Sequence, residues 1–175
     1  MFNSVIGHLP QKDILLKALE SKDLFKAYLF KGPESSQVEG LAAEFAKKVL
    51  CQEDYSDDCR CRSCERFYGG HPDLFVLDKE KYVIDDVSSI EGFFSAVSFY
   101  SHCKVVLIQN VQRMQTRAQN KILKILEHPP LDCLFIISAV GNDYVVPTIN
   151  SRCVTLDFFK YSLEEYRRVA AVDGI

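Results

Sequence analysis

The sequence predicts an α/β protein: a mostly parallel sheet with helices on both faces, interrupted by one inserted four-cysteine module. Short apolar strands alternate with amphipathic helices of ten or more residues, the pattern of right-handed βαβ crossovers. Lys104-Val105-Val106-Leu107-Ile108 is a continuous β-branched run, as a strand covered on both faces requires. Cys51, Cys59, Cys61 and Cys64 break the alternation, which resumes beyond them.

A first helix fits residues 11–21, where Ile14, Leu15, Ala18 and Leu19 recur at helical spacing. Ala27-Tyr28-Leu29-Phe30 reads as a buried strand closed by Gly32-Pro33, and Leu41, Ala42, Phe45, Ala46 and Val49 mark a helix over 38–50. After the cysteines, 73–77 is a strand and 85–100 a helix, with Asp85 and Asp86 suited to its positive amino-terminal end. The strand at 104–108 is followed by a helix over 114–127 with Met114, Ala118, Ile122, Ile125 and Leu126 on one face, stopped by Pro129-Pro130. Residues 134–138 and 153–156 supply further strands, and a last helix begins near Ser162.

A length of 175 residues suits one domain, which buries roughly 70% of the surface its unfolded chain exposes. With 47% hydrophobic and 26% charged residues, disorder, collagen and coiled coil are excluded for the chain as a whole. No apolar run approaches the ~20 residues that span a bilayer, and the first residues lack a signal peptide's apolar stretch. A soluble, cytoplasmic protein is expected, with no membrane partner. The formal charge of −3 argues against gripping DNA by bulk positive field. Clustered cysteines in such a compartment chelate metal more often than they form disulfides.

In a doubly wound sheet, the loop after the first core strand is where phosphate would bind, at the positive end of a helix. A phosphate-cradling loop needs G-x-x-x-x-G-K-[ST]. Gly32 is present, but Gln37, Val38 and Glu39 occupy the positions of the second glycine, the lysine and the hydroxyl residue. The strand 104–108 runs into Gln109-Asn110, where a metal-handling site would carry acids. Both elements point to lost nucleotide chemistry, so no ATP is expected in this chain.

Several strings taken together resemble one family, the delta-prime subunits of the bacterial DNA polymerase III clamp loader, which are AAA+ relatives. They are Val5-Ile6-Gly7-His8, residues 27–34, the cysteine cluster, His71-Pro72-Asp73-Leu74, the helix 118–130 ending Leu126-Glu127-His128-Pro129-Pro130, and Pro147-Thr148-Ile149-Asn150-Ser151-Arg152-Cys153. The match runs in order over about residues 1–160. The resemblance implies an AAA+-type, P-loop NTPase-like domain over 1–160, with a zinc module at about 51–64. Residues 161–175 would begin a helical lid, with the rest of that lid and a carboxy-terminal collar missing, as in a fragment. It further implies a non-catalytic stator that works with tau/gamma and delta subunits, and with the sliding clamp and primed DNA through the assembled complex. Arg152 would be an arginine finger acting in trans on the neighbouring tau/gamma ATP site, with Ser151 fixing its loop. A finger of this kind is worth ~10³ to 10⁵ in rate in GTPase systems. Without the family, an arginine just before a strand is more often a structural ion-pair partner.

Cys51-x7-Cys59-x-Cys61-x2-Cys64 offers four thiolates, enough for a closed structural zinc site. The family pattern has two residues between the second and third cysteines, whereas only Arg60 intervenes here. Cys59 and Cys61 both ligate if the turn is tight; otherwise His71 replaces one of them, or the four thiols stay unmetallated. Arg60, Arg62 and Arg66 read as a solvated rim. Arg113, Arg117, Lys121 and Lys124 make one helix face positive, toward DNA phosphates, an acidic neighbour or solvent alone. His8, His102 and His128 have no companion at catalytic spacing. Two competing readings remain: an active ATPase with a divergent loop, and a zinc-dependent nucleic-acid-binding module.

Overall fold

A computed structural model of the chain describes residues 2–141 and 147–173. In order, the elements are α1 (Leu9–Ser21), β1 (Ala27–Gly32), α2 (Val38–Leu50), α3 (Arg62–Arg66), β2 (Leu74–Leu77), α4 (Ile84–Phe94), β3 (Lys104–Ile108), α5 (Thr116–Glu127), β4 (Cys133–Val140), α6 (Pro147–Asn150), β5 (Val154–Asp157) and α7 (Leu163–Asp173). The five strands form one parallel sheet in the order β2-β3-β4-β1-β5.

The central strands β1, β3 and β4 are largely apolar because helices cover both of their faces, and their side chains alternate between two cores. Tyr28, Phe30, Val105, Leu107, Leu134 and Ile136 point to the face covered by α1 and α2, where Leu15, Leu41 and Phe45 meet them. Leu29, Val106, Ile108, Phe135 and Ile137 point to the other face, against Val87, Ile90, Ala118 and Ile122 of α4 and α5. All five residues of β3 are buried. Fully burying one such side chain stabilises by about 1.5–3 kcal/mol before conformational entropy is set against it.

The expected helix over 85–100 ends at Phe94. The chain beyond it is drawn off the helical path by the buried carboxylate of Asp73, which accepts backbone hydrogen bonds from Phe99 (2.6 Å), Tyr100 (2.7 Å) and Ser101 (2.9 Å). The helix expected from Met114 begins at Thr116. Met114 is extended and closes a short 3₁₀ turn over Val111–Arg113, so it reaches the core from the approach to the helix. β4 is longer than expected at both ends, and β5 is shifted one residue toward the carboxy terminus. The last helix is present as α7; residues 174–175 of the expected lid segment lie outside the described residues.

Candidate functional site

At the carboxyl end of β1 the chain turns tightly through Gly32. A Cβ on Gly32 would stand 2.6 Å from Ser36 Oγ, 2.7 Å from Phe158 Cβ and 2.8 Å from Val38 Cγ2, so only glycine fits. Ser36 is fully buried and its hydroxyl donates to Pro33 O at 2.5 Å. His8 Nε2 lies 2.9 Å from Ser36 O, which assigns the ring proton to Nε2, and the ring packs between Phe158 and Tyr161. Burial lowers the His8 pKa below its ordinary 6.5, although the Ser36 carbonyl opposes the shift.

The three residues standing where a phosphate loop has its glycine, lysine and hydroxyl each have a protein partner. Gln37 is left-handed (φ 50°), a conformation natural to glycine, and its Oε1 accepts from Ile6 N (3.2 Å) and from the Tyr161 hydroxyl (3.1 Å). Val38 is buried in the core under β1. Glu39 takes a hydrogen bond from Asn110 Nδ2 on its carboxylate and one from Gln109 Nε2 on its backbone carbonyl at 3.4 Å. Gln109 also accepts from Ser138 Oγ at 2.7 Å, and Ser138 Oγ accepts from Asn110 N at 3.0 Å. The Gln109-Asn110 amides therefore lash β3, β4 and α2 together. The adjacent cation, Lys31, is paired with Asp157 at 3.3 Å.

On the edge of the sheet, α6 leads through Ser151 and Arg152 into β5. Buried Ile149 anchors this turn, and Ser151 Oγ donates to Thr148 O at 3.0 Å. Arg152 Nη1 donates to Thr148 O (3.0 Å) and Ser151 Oγ (3.3 Å), and Nη2 is ion-paired with Glu127 at the end of α5. The guanidinium is on the surface, its side chain 31% exposed against 42% for Glu127. The Cys153 thiol beside it is pushed up to about 12 by burial.

The cysteine module leaves the end of α2 at Cys51 and returns through α3, whose first turn is capped by Cys61: its Sγ accepts from Cys64 N at 3.5 Å. All four sulfurs, of Cys51, Cys59, Cys61 and Cys64, lie within 4.8 Å of one another, with Cys51 3.5 Å from Cys59 and 4.0 Å from Cys61. Tetrahedral ligation at ~2.3 Å requires sulfurs roughly 3.8 Å apart, so the one-residue spacing between Cys59 and Cys61 does close. Burial raises the Cys59 and Cys64 thiols, Cys59 to about 11. At Cys61 burial is outweighed by the Gln52 and Cys64 amides and the neighbouring thiols, which bring it down to about 7.

His71 does not join this set. Its Nδ1 accepts from Asp73 N (3.0 Å) and its Nε2 faces Ser63 Oγ (2.8 Å), whose hydroxyl donates to Leu50 O (2.6 Å). Both ring nitrogens are thus spent, Nε2 in bracing α3 against the end of α2 through Ser63 and Nδ1 in closing the turn that leads into β2. On the other side of the module, Asp57 accepts from Phe2 N (3.0 Å) and Asn3 N (3.2 Å) and is ion-paired with buried Lys48. Arg60, Arg62 and Arg66 are exposed, Arg66 above the Tyr100 ring.

The basic stripe on α5 is only partly open. Lys121 is paired with Glu91 of α4 at 3.0 Å and donates to Ser88 Oγ, whereas Arg113, Arg117 and Lys124 are exposed. Glu127, Asp57 and Asp73 escaped sequence reasoning because each acts on a residue far away in the chain, and no local spacing marks them.

The family profile described as DNA polymerase III, delta subunit matches residues 8–162. The chain is 32% identical over 149 residues to a DNA polymerase III subunit delta' of Bacillus subtilis, covering 83% of this chain and 45% of that protein. It is 33% identical over 135 residues to the subunit delta' of Pseudomonas aeruginosa, covering 73% and 41%. The B. subtilis subunit tau matches at 31% over 161 residues, covering 90% and 29%. The chain thus spans less than half the length of these relatives. Among solved structures, a gamma subunit-related protein of DNA polymerase III from Thermotoga maritima superposes with a TM-score of 0.64 at 22% identity, over 93% of this chain and 49% of that one. The RuvB Holliday junction branch migration motor of the same organism gives 0.59 at 15% identity, over 97% and 52%. These two establish the AAA+ fold alone.

Proposed function

The chain belongs to the DNA polymerase III delta-subunit family and is delta-prime-like among the clamp-loader subunits, and from that premise we propose that it is a stator: it holds no nucleotide itself and lends Arg152 to the ATP site of a neighbouring tau/gamma subunit. The observation that carries this reading is Glu39. Its carboxylate, held by Asn110, stands in the first turn of α2, where a phosphate loop needs a hydroxyl for the metal, and buried Val38 stands where it needs a lysine. Two like charges about 4 Å apart at an effective dielectric near 20 repel by roughly 4 kcal/mol, and the cation that would offset this is missing from the loop.

Arg152 supports the second half of the proposal. It projects from a turn anchored by Ile149, its guanidinium reaches solvent, and the N–H groups not taken by Thr148, Ser151 and Glu127 can meet phosphate while those contacts persist. The four cysteines suit Zn²⁺ as a closed structural site that cross-links the end of α2 to α3. Through the assembled complex the partners would be tau/gamma, delta, the sliding clamp and primed DNA, with α7 opening the lid. No described helix is long and apolar enough to cross a membrane.

The test uses the complex assembled with the full-length subunit. Arg152→Ala should leave assembly intact and cut ATP hydrolysis at the adjoining site by at least ~10³, the lower end of the finger effect. Calorimetry of the chain with ATP and magnesium should show no binding. Unchanged hydrolysis refutes the finger, and micromolar ATP binding refutes the stator.

A further inference from the structure

Arg152 is held at both terminal nitrogens. Nη1 is fixed within its own turn by Thr148 O and Ser151 Oγ. Nη2 is held from a different element, by Glu127 at the last residue of α5. The location of Glu127 calls for explanation, because a carboxylate in the last helical turn faces the negative end of the helix dipole and is unfavourable there. Nor does the pair add much cohesion. Both side chains are substantially exposed, and α6 is already fastened by fully buried Ile149. What the contact does supply is orientation, because an arginine has many rotamers and a planar fork that acts only when correctly turned.

We propose that Glu127 is the positioning residue for Arg152: it holds Nη2 from the end of α5 so that the guanidinium is already ordered when the triphosphate of the adjoining subunit arrives. The inference rests on the arginine-finger reading of Arg152. Glu127 touches no substrate and acts only through the cation. Holding the side chain beforehand removes an ordering cost that would otherwise fall on the transition state, so its loss should appear in turnover and leave ATP affinity alone. The expected size is about 3- to 5-fold, the upper part of the range that an exposed ion pair spans.

The experiment is a double-mutant cycle on the assembled complex with the full-length subunit, reading kcat and KM for ATP at the adjoining site. Glu127→Ala should lower kcat about 3- to 5-fold with KM unchanged, and Glu127→Gln, which keeps an acceptor oxygen, should recover most of it. In the Arg152→Ala background, Glu127→Ala should cost nothing further. If the Glu127→Ala loss persists undiminished in that background, or if kcat does not fall, Glu127 does not position the finger. A lowered melting point with an additive cycle marks it as a purely structural partner and overturns the proposal equally. If Arg152→Ala itself leaves hydrolysis intact, the finger reading is what has failed, a result separable from the other two.

Discussion

Asp73→Asn replaces a fully buried carboxylate with an amide of the same shape. Oδ1 accepts from Phe99 N at 2.6 Å, while Oδ2 accepts from Tyr100 N at 2.7 Å and Ser101 N at 2.9 Å. The single oxygen of asparagine serves best at the Oδ2 position, which turns its NH₂ toward the Phe99 N–H and sets donor against donor. That removes one hydrogen bond to a charged acceptor, about 2 kcal/mol. The other two become bonds to a neutral oxygen, losing about 1 kcal/mol each. Relaxation of the exposed segment around Val97 returns part of this, leaving a net cost of about 3 kcal/mol out of the 5–15 typical of a domain. The damage should reach the cysteine module, because Gln52 Nε2 donates to Tyr100 O and Ser101 Oγ donates to Leu50 O. Urea unfolding should show the midpoint falling at constant slope, and hydrogen exchange should show the amides of 99–101 losing protection. A loss below about 1 kcal/mol with those amides still protected would refute the assignment of this carboxylate as the clamp on that segment.

Cys64→Ser, or chelation of the unsubstituted protein, should abolish a content of one zinc per chain and raise amide exchange across 51–66; because Asp57 carries the amides of Phe2 and Asn3, these two should exchange faster as well. Retained metal, or exchange unaltered by its removal, would show that the thiols do not cross-link the module. Acidification should also destabilise the fold. Burial holds His8 and His71 below the ordinary 6.5, so under about pH 6.5 the unfolded chain takes up protons that the folded chain refuses. Stability should be fully present above that value and decline toward pH 5; a urea midpoint that rises over the same interval would contradict the burial of both rings.

The central strands were legible because both of their faces are buried, which leaves apolar runs that no surface element shares, and β3 shows this in five consecutive residues. Helix ends were legible only where the stop is local. Pro129-Pro130 ends α5 as expected, whereas α4 stops at Phe94 because of an acid that lies before β2. Met114 shows a further limit: its place on the helical stripe was real in spacing, but it enters the core from an extended residue. The four-cysteine cluster could be read from residue type alone, yet whether Cys59 and Cys61 could converge, and that His71 stands apart, depended on how the turn closes. Glu127 beside Arg152 joins residues that only the stacking of α5 against α6 brings together, and no motif announces it.

The strand order carries a consequence for synthesis on the ribosome. Ala27 of β1 aligns with Phe135 of β4, and Tyr28 with Val154 of β5, so β1 has no lateral partner until β4 has emerged and gains its second only with β5. At ~5–20 residues per second that interval lasts on the order of ten seconds, during which an apolar segment ending in Phe30 is sheltered only by whatever α1 and α2 can offer. The nascent chain thus passes through a window in which its first strand is unpaired, and slowing elongation between β1 and β4 should lower the yield of native protein rather than raise it.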